Sequence, residues 1–175
     1  FRRRTFGAKN VSRLRPQRFF SNALASVLLA TLTALASGVA HGENVLDLAS
    51  FPRSKLTVES SQGAQAFDVW IADNEDRQRQ GLMYVRDLPA SQGMLFVNPE
   101  PRQSSFWMKN TYIPLDMLFI DARGKIVAIF ADRKPLSLTP VGPAAPVLAI
   151  LELRGGEAAA RGIRKGDRVI HPAFR

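Results

Sequence analysis

Two apolar runs, DMLFID at 116–121 and KIVAIF at 125–130, stand on either side of Ala122-Arg123-Gly124. Each run is too short for a stable isolated helix and rich in the Ile, Val and Phe that strands favour. The break between them holds a charge and a glycine, so the pattern predicts an antiparallel hairpin. A lone hairpin is not stable in water, and this one therefore demands further strands or a helix packed against it.

The rest of the chain supplies them. QAFDVWIA at 65–72 alternates as a strand does, and Lys55–Glu59 reads as a short edge strand before it. Gly93–Val97 is a further strand, expected to close at the turn residues Asn98 and Pro99. VLAILEL at 147–153 is apolar at nearly every position and is expected to lie centrally, while Gly166-Asp167 turns into a last short strand at Arg168–His171. Asp73 is the expected N-cap of a helix reaching about Gln80, with Gly81 ending it; EAAARG at 157–162 makes a second short helix. Leu136–Pro146, with three prolines and a glycine, is expected to cross the surface irregularly. Strands joined by turns rather than long helices give an α+β, mostly β fold. It is a single compact barrel-like or sandwich-like domain of short, mainly antiparallel strands with two short helices, spanning 55–175 behind a polar linker at 41–54. Neither a dinucleotide glycine pattern nor a phosphate loop is present.

The front of the chain is different in kind. Residues 1–18 carry seven Lys and Arg and no acid, and residues 19–40 carry no charge before a small-residue end at Gly38-Val39-Ala40. This order reads as a signal peptide over 1–40, cut after Ala40, which directs the domain to the periplasm or beyond. If retained, the same apolar run would anchor the protein in the inner membrane, which is the one membrane contact expected. The leader also explains the charge. The chain has 24 basic and 15 acidic residues, net +9, but without residues 1–40 there remain 17 basic against 15 acidic, or +2. A nucleic-acid partner is therefore not expected. With no cysteine and only His41 and His171, neither thiolate nor histidine metal sites can be built, and no metal or cofactor is expected.

Candidate site residues converge just before the hairpin, in FWMKNT at 106–111. If extended, Phe106, Trp107 and Met108 cannot all face one core, because neighbouring side chains alternate. At least one must look outward or into a second pocket. Lys109, Asn110 and Thr111 then place an ammonium, an amide and a hydroxyl beside aromatic bulk, a combination suited to a small ligand. Equally, Trp107 could cover a core edge while Lys109 snorkels. Asp116, close by, and Asp68 could serve as acid and base or help bind a divalent cation; equally, Asp116 could cap the preceding turn through backbone amides while Asp68 lies on the wet face of its strand. Ser104 and Ser105 have no histidine nearby to activate them.

Three blocks of the sequence resemble the DUF192 family of uncharacterised bacterial and archaeal domains. They are VWIADNEDRQRQGLMYVRDLP at 69–89, GMLFVNPEPRQSSFWMKNTYIPLDMLFIDARGKIVAI at 93–129 and VLAILELRGGEAAARGIRKGDRV at 147–169. The resemblance rests on Arg77, Gly81, Leu82 and Met83, on Phe106 through Thr111 with Pro114, Leu115 and Asp116, and on Gly162, Gly166, Asp167 and Val169. It implies a compact, mostly β barrel-like or sandwich-like domain with short helices, and no accepted activity, cofactor or catalytic residue. Many members carry a cysteine in the segment after the KIVAI strand, where this chain reads ADRKPLSLTPVGPAAP, so no redox or metal role carries over.

The function expected is an exported envelope domain that binds a small ligand or serves as an accessory module, as a monomer, toward a small molecule or envelope component. Its pocket would use Trp107, Lys109, Asn110, Thr111 and Asp116, with Arg77 and Met83 nearby. Two alternatives stand beside it. One is a hydrolase or lyase of an envelope polysaccharide, with Asp116 as acid or base and Lys109 holding an anionic group. The other is a structural, partner-binding domain without a pocket.

Overall fold

A computed structural model of the chain describes residues 45–174, so the expected leader at 1–40 lies outside the described residues. Seven strands form one sheet: β1 (Arg53–Ser60), β2 (Gly63–Ala72), β3 (Gln92–Arg102), β4 (Leu115–Ile120), β5 (Ile126–Arg133), β6 (Val147–Arg154) and β7 (Arg168–Ile170). Helix α1 (Glu75–Gln80) lies between β2 and β3, and α2 (Glu157–Ala160) between β6 and β7. The spatial order is β5-β4-β6-β3-β2-β1-β7. Every neighbouring pair is antiparallel except β2 and β3, where α1 and the loop after it make the crossover that a parallel pair requires. The mostly β, mainly antiparallel architecture with two short helices is thus present.

The sheet curls into a half-barrel until its two outermost strands meet at one end. There the Ile126 N–H donates to the Asp167 carbonyl at 2.9 Å and the Val169 N–H to the Gly124 carbonyl at 2.7 Å. Gly124 makes the approach possible. Its φ is +80°, and a Cβ there would stand 2.6 Å from the Val169 carbonyl oxygen. The DARG hairpin forms as expected, with the Asp121 carboxylate accepting from the Arg123 and Lys125 N–H groups at 2.8 and 2.9 Å.

Both faces of the sheet are covered. Leu56, Val69, Leu95, Leu118 and Leu151 fill one side together with Ala158 of α2. Met94, Phe96, Met117, Phe119 and Ile150 fill the other, beneath Leu82, Leu88 and Met108 from the connecting segments. This double burial explains why β4 and β6 read as continuous apolar runs, and β6 is central as expected.

Two expectations need correction. The N-cap of α1 is Asn74, not Asp73: the Asn74 Oδ1 accepts from the Arg77 N–H at 3.0 Å, while the Asp73 carboxylate holds the Arg77 guanidinium at 2.7 Å. Nor does β3 close at Asn98-Pro99. It runs to Arg102 through a register shift after Val97, since Pro99 and Pro101 have no N–H to give β6 and the ladder must bulge around them. The Asn98 side chain bridges the gap by donating to the Val147 carbonyl at 3.2 Å. Among the described residues no helix is long and apolar enough to cross a membrane. Residues 46–52, in the stretch read as linker, lie on the domain: Gln80 exchanges hydrogen bonds with the Leu46 backbone, and Phe51 is buried.

Candidate functional site

The segment 106–112 pairs with the irregular crossing 136–141 rather than with the main sheet. Phe106 and Val141 exchange backbone hydrogen bonds at 2.8 Å, the Met108 N–H donates to the Ser137 carbonyl at 2.8 Å, and the Leu136 N–H to the Thr111 carbonyl at 3.1 Å. Alternation follows: Met108 is buried and Phe106 packs edge-on against Phe96 and Phe119, while Trp107 turns outward with 51% of its surface exposed. Asn110 turns the chain at φ +54°, a conformation asparagine accepts more readily than most residues. Its side-chain amide donates to the Tyr84 hydroxyl at 2.9 Å.

Between this segment, the loop after α1 and the bulged end of β3 lies a cleft of about 940 Å³. Trp107, Lys109 and Thr111 form one wall, Met83 and Tyr84 another, and Phe96 and Glu152 reach it from the sheet. Gln78 ties α1 to the rim, donating to the Val97 and Ala72 carbonyls at 2.7 and 3.2 Å and accepting from Arg102 at 3.2 Å. Thr111 is buried and its hydroxyl donates to the Lys109 carbonyl at 3.2 Å.

Of the residues singled out in the sequence, Met83, Trp107, Lys109 and Thr111 therefore meet at one concavity. Asn110 sits behind that wall as its hinge. Arg77 does not line it; its guanidinium is paired with Asp73 and lies 5.7 Å from the Phe51 ring. Asp116 is elsewhere too. It is 0% exposed, and its carboxylate accepts from the backbone N–H groups of Asp132 (2.7 Å), Gly156 (3.0 Å) and Ala158 (2.8 Å). The N-cap position of α2 is Gly156, which has no side chain to offer, so Asp116 caps that helix from across the fold. Of the two readings weighed for Asp116, the geometry has the amide-capping one, although the amides come from distant segments rather than the preceding turn.

Glu152 was not singled out in the sequence. It lies on β6 directly between Met94 of β3 and Met117 of β4, in a row that continues to Trp70 and Phe130. Only 4% of it is exposed, and burial among these apolar neighbours pushes its carboxyl up to about 8 from the usual 4.5. It forms no hydrogen bond or ion pair within the described residues. No sealed side-chain oxygen there lacks a partner, so the unpaired carboxyl must retain contact with the cleft it lines. Its signal in the sequence was one acid inside an otherwise apolar strand. At neutral pH the floor of the cleft therefore presents a carboxylic acid, able to donate one hydrogen bond and accept another. No three Asp, Glu or His side chains converge as metal ligands among the described residues.

The comparisons agree with this fold. Residues 56–171 match the model of the family DUF192, described as Uncharacterized ACR. The chain belongs to that family. Two crystal structures of other proteins are similar to it. One is a protein of Sinorhizobium meliloti 1021 described as a candidate transcription regulator, 35% identical, with a TM-score of 0.69 over 71% of this chain and 97% of that one. The other is a protein of unknown function from Novosphingobium aromaticivorans DSM 12444, also 35% identical with a TM-score of 0.69, covering 73% of this chain and 91% of that one. The chain matches none of the curated proteins.

Proposed function

We propose that this DUF192 domain is an exported small-ligand-binding module of the bacterial envelope, with its ligand held in the cleft behind Trp107. The observation that carries the reading is the buried, unpaired carboxyl of Glu152 at the cleft. With no protein partner among the described residues, its carboxyl is open to the cleft, and a ligand group can take the hydrogen bonds that it otherwise gives to solvent there. The cleft suits a small amphipathic molecule. A neutral hydroxyl, carbonyl or amide would meet Glu152, an apolar face would lie on Trp107, and Lys109 and Thr111 would offer polar contacts at the wall. Its size is within the range of small-molecule sites.

A ligand screen by thermal shift tests the proposal on the parent chain and on Trp107→Ala, Lys109→Ala and Glu152→Leu. Hits that stabilise the parent should lose most of their effect in Glu152→Leu, which has no polar group to offer, or in Trp107→Ala. Equal binding to all four chains would sink the reading. Export is tested separately, by reading the N-terminus of protein recovered from the cell envelope, where cleavage after Ala40 is expected.

Polymer cleavage through Asp116 has no support from the geometry, because its carboxylate is sealed and already accepts three backbone hydrogen bonds. A role like that in the description of the Sinorhizobium protein is not adopted either. The two helices here run six and four residues, and α1 begins with Glu75 and Asp76, which a phosphate backbone would repel.

A further inference from the structure

Six large apolar side chains are exposed among the described residues, and four of them, Trp107, Tyr112, Leu136 and Leu138, lie on the ribbon formed by 106–112 and 136–141. The inward members of that ribbon, Met108 and Thr111, are buried on either side of the left-handed turn at Asn110, and the four apolar residues face out. Leu136 is the most informative of them. It sits at φ +62°, where a leucine is strained and a glycine would not be, yet its side chain is 55% exposed. Neither the backbone nor the core accounts for a leucine at that position. Charge points the same way: Arg133 and Lys134, preceded by Asp132, adjoin the ribbon, its own two segments hold no acid, and the Arg86 guanidinium lies 4.8 Å over the Tyr112 ring.

We propose that this ribbon is a docking surface for an anionic phospholipid bilayer. Leu136 and Leu138 enter the acyl boundary, Trp107 and Tyr112 settle at headgroup depth, and Arg133 and Lys134 meet the lipid phosphates. Each residue type has the place that the physics of a bilayer interface assigns to it. Arg133 and Lys134, at the end of an acid-free ribbon, complement a negatively charged leaflet. The proposal does not depend on the ligand reading, although Trp107 stands at the edge of both surfaces.

The test uses the full chain with Trp70→Phe, which leaves Trp107 as the one tryptophan. The basic leader could carry the chain to vesicles unaided, so the readout is quenching of Trp107 emission by brominated lipid in phosphatidylglycerol–phosphatidylcholine vesicles. Strong quenching relative to unbrominated vesicles is expected. It should be lost in Leu136→Ser/Leu138→Ser at an unchanged thermal midpoint. Arg133→Gln/Lys134→Gln should lower the apparent affinity for quenching by about twenty-five-fold, at about five-fold per basic residue. Trp107 emission that is equal in brominated and ordinary vesicles would overturn the proposal and assign the ribbon to a protein partner. Quenching undiminished by the double leucine substitution would overturn it as well.

Discussion

Asn110 and Tyr84 clasp each other twice: the Tyr84 N–H donates to the Asn110 carbonyl at 2.8 Å, and the Asn110 amide donates to the Tyr84 hydroxyl at 2.9 Å. Both residues hold positive φ, +54° and +67°. Two left-handed turns from separate segments thus brace one another and fix two walls of the cleft.

Asn110→Ala should lower stability by about 2 kcal/mol, from one lost hydrogen bond and an alanine forced into a left-handed turn. Asn110→Gly removes the same bond without the backbone strain and should recover about half of that loss. Urea midpoints of the two variants check the difference. Equal losses would mean that the turn geometry contributes nothing.

Asp116→Ala should cost about 3 kcal/mol, because three backbone amides lose their shared acceptor together. Asp116→Asn recovers only part of this, since its NH2 faces donors. If the residue acts only as a cap, ligands found in the screen should keep their affinity for whatever folded Asp116→Asn remains. Calorimetric titration at low temperature measures that affinity.

Glu152 gives a pH dependence of definite sign. Its folded value of about 8 stands above the usual 4.5, so the folded chain binds the proton more tightly and stability falls as pH rises from 4.5 through 8. Above that window the accumulated cost is about 5 kcal/mol. Glu152→Gln stays neutral throughout, so it should exceed the parent by several kcal/mol at pH 8 and by almost nothing at pH 4.5. His171, lowered by its own burial, loses stability as pH falls below 6.5, but it is present in both chains and cancels in the difference. Denaturant titrations across the range give the comparison, and a gap independent of pH would show that the carboxyl is not held protonated.

Gly93→Ala should destabilise by about 1–3 kcal/mol, since the added methyl would stand 2.5 Å from the Glu152 carbonyl oxygen and neither backbone can yield easily. If the strand does shift, the carboxyl on the same residue moves with it. The pH window of Glu152 should then narrow in this variant, read by the same titrations.

Much of the fold was legible because local pattern and burial coincide. The hairpin of β4 and β5 follows from two apolar runs about a short turn, and β6 is central because a strand covered on both faces needs apolar residues at nearly every position. Pairing between distant strands has no such local trace, so the parallel contact of β2 with β3 left no mark in either. Asn98-Pro99 carried a turn signal, but a bulge and the Asn98 side chain kept them within β3. At the site, Trp107 turned outward as alternation required, and Met83, Lys109 and Thr111 joined it. Asp116 could not be assigned, because its partners are the amides of residues 132, 156 and 158, remote in the chain. Glu152 was overlooked because a run that reads as core hides the one member that is not.

The meeting of residues 124–126 with 166–169 has a consequence for solubility. A curled sheet that stops short of closure leaves two rows of unsatisfied amides, to which strands of neighbouring molecules can add. Here a three-residue strand and the turn before it occupy both margins at one end. A chain cut before Gly166 should therefore keep most of its core and yet stick to its own kind.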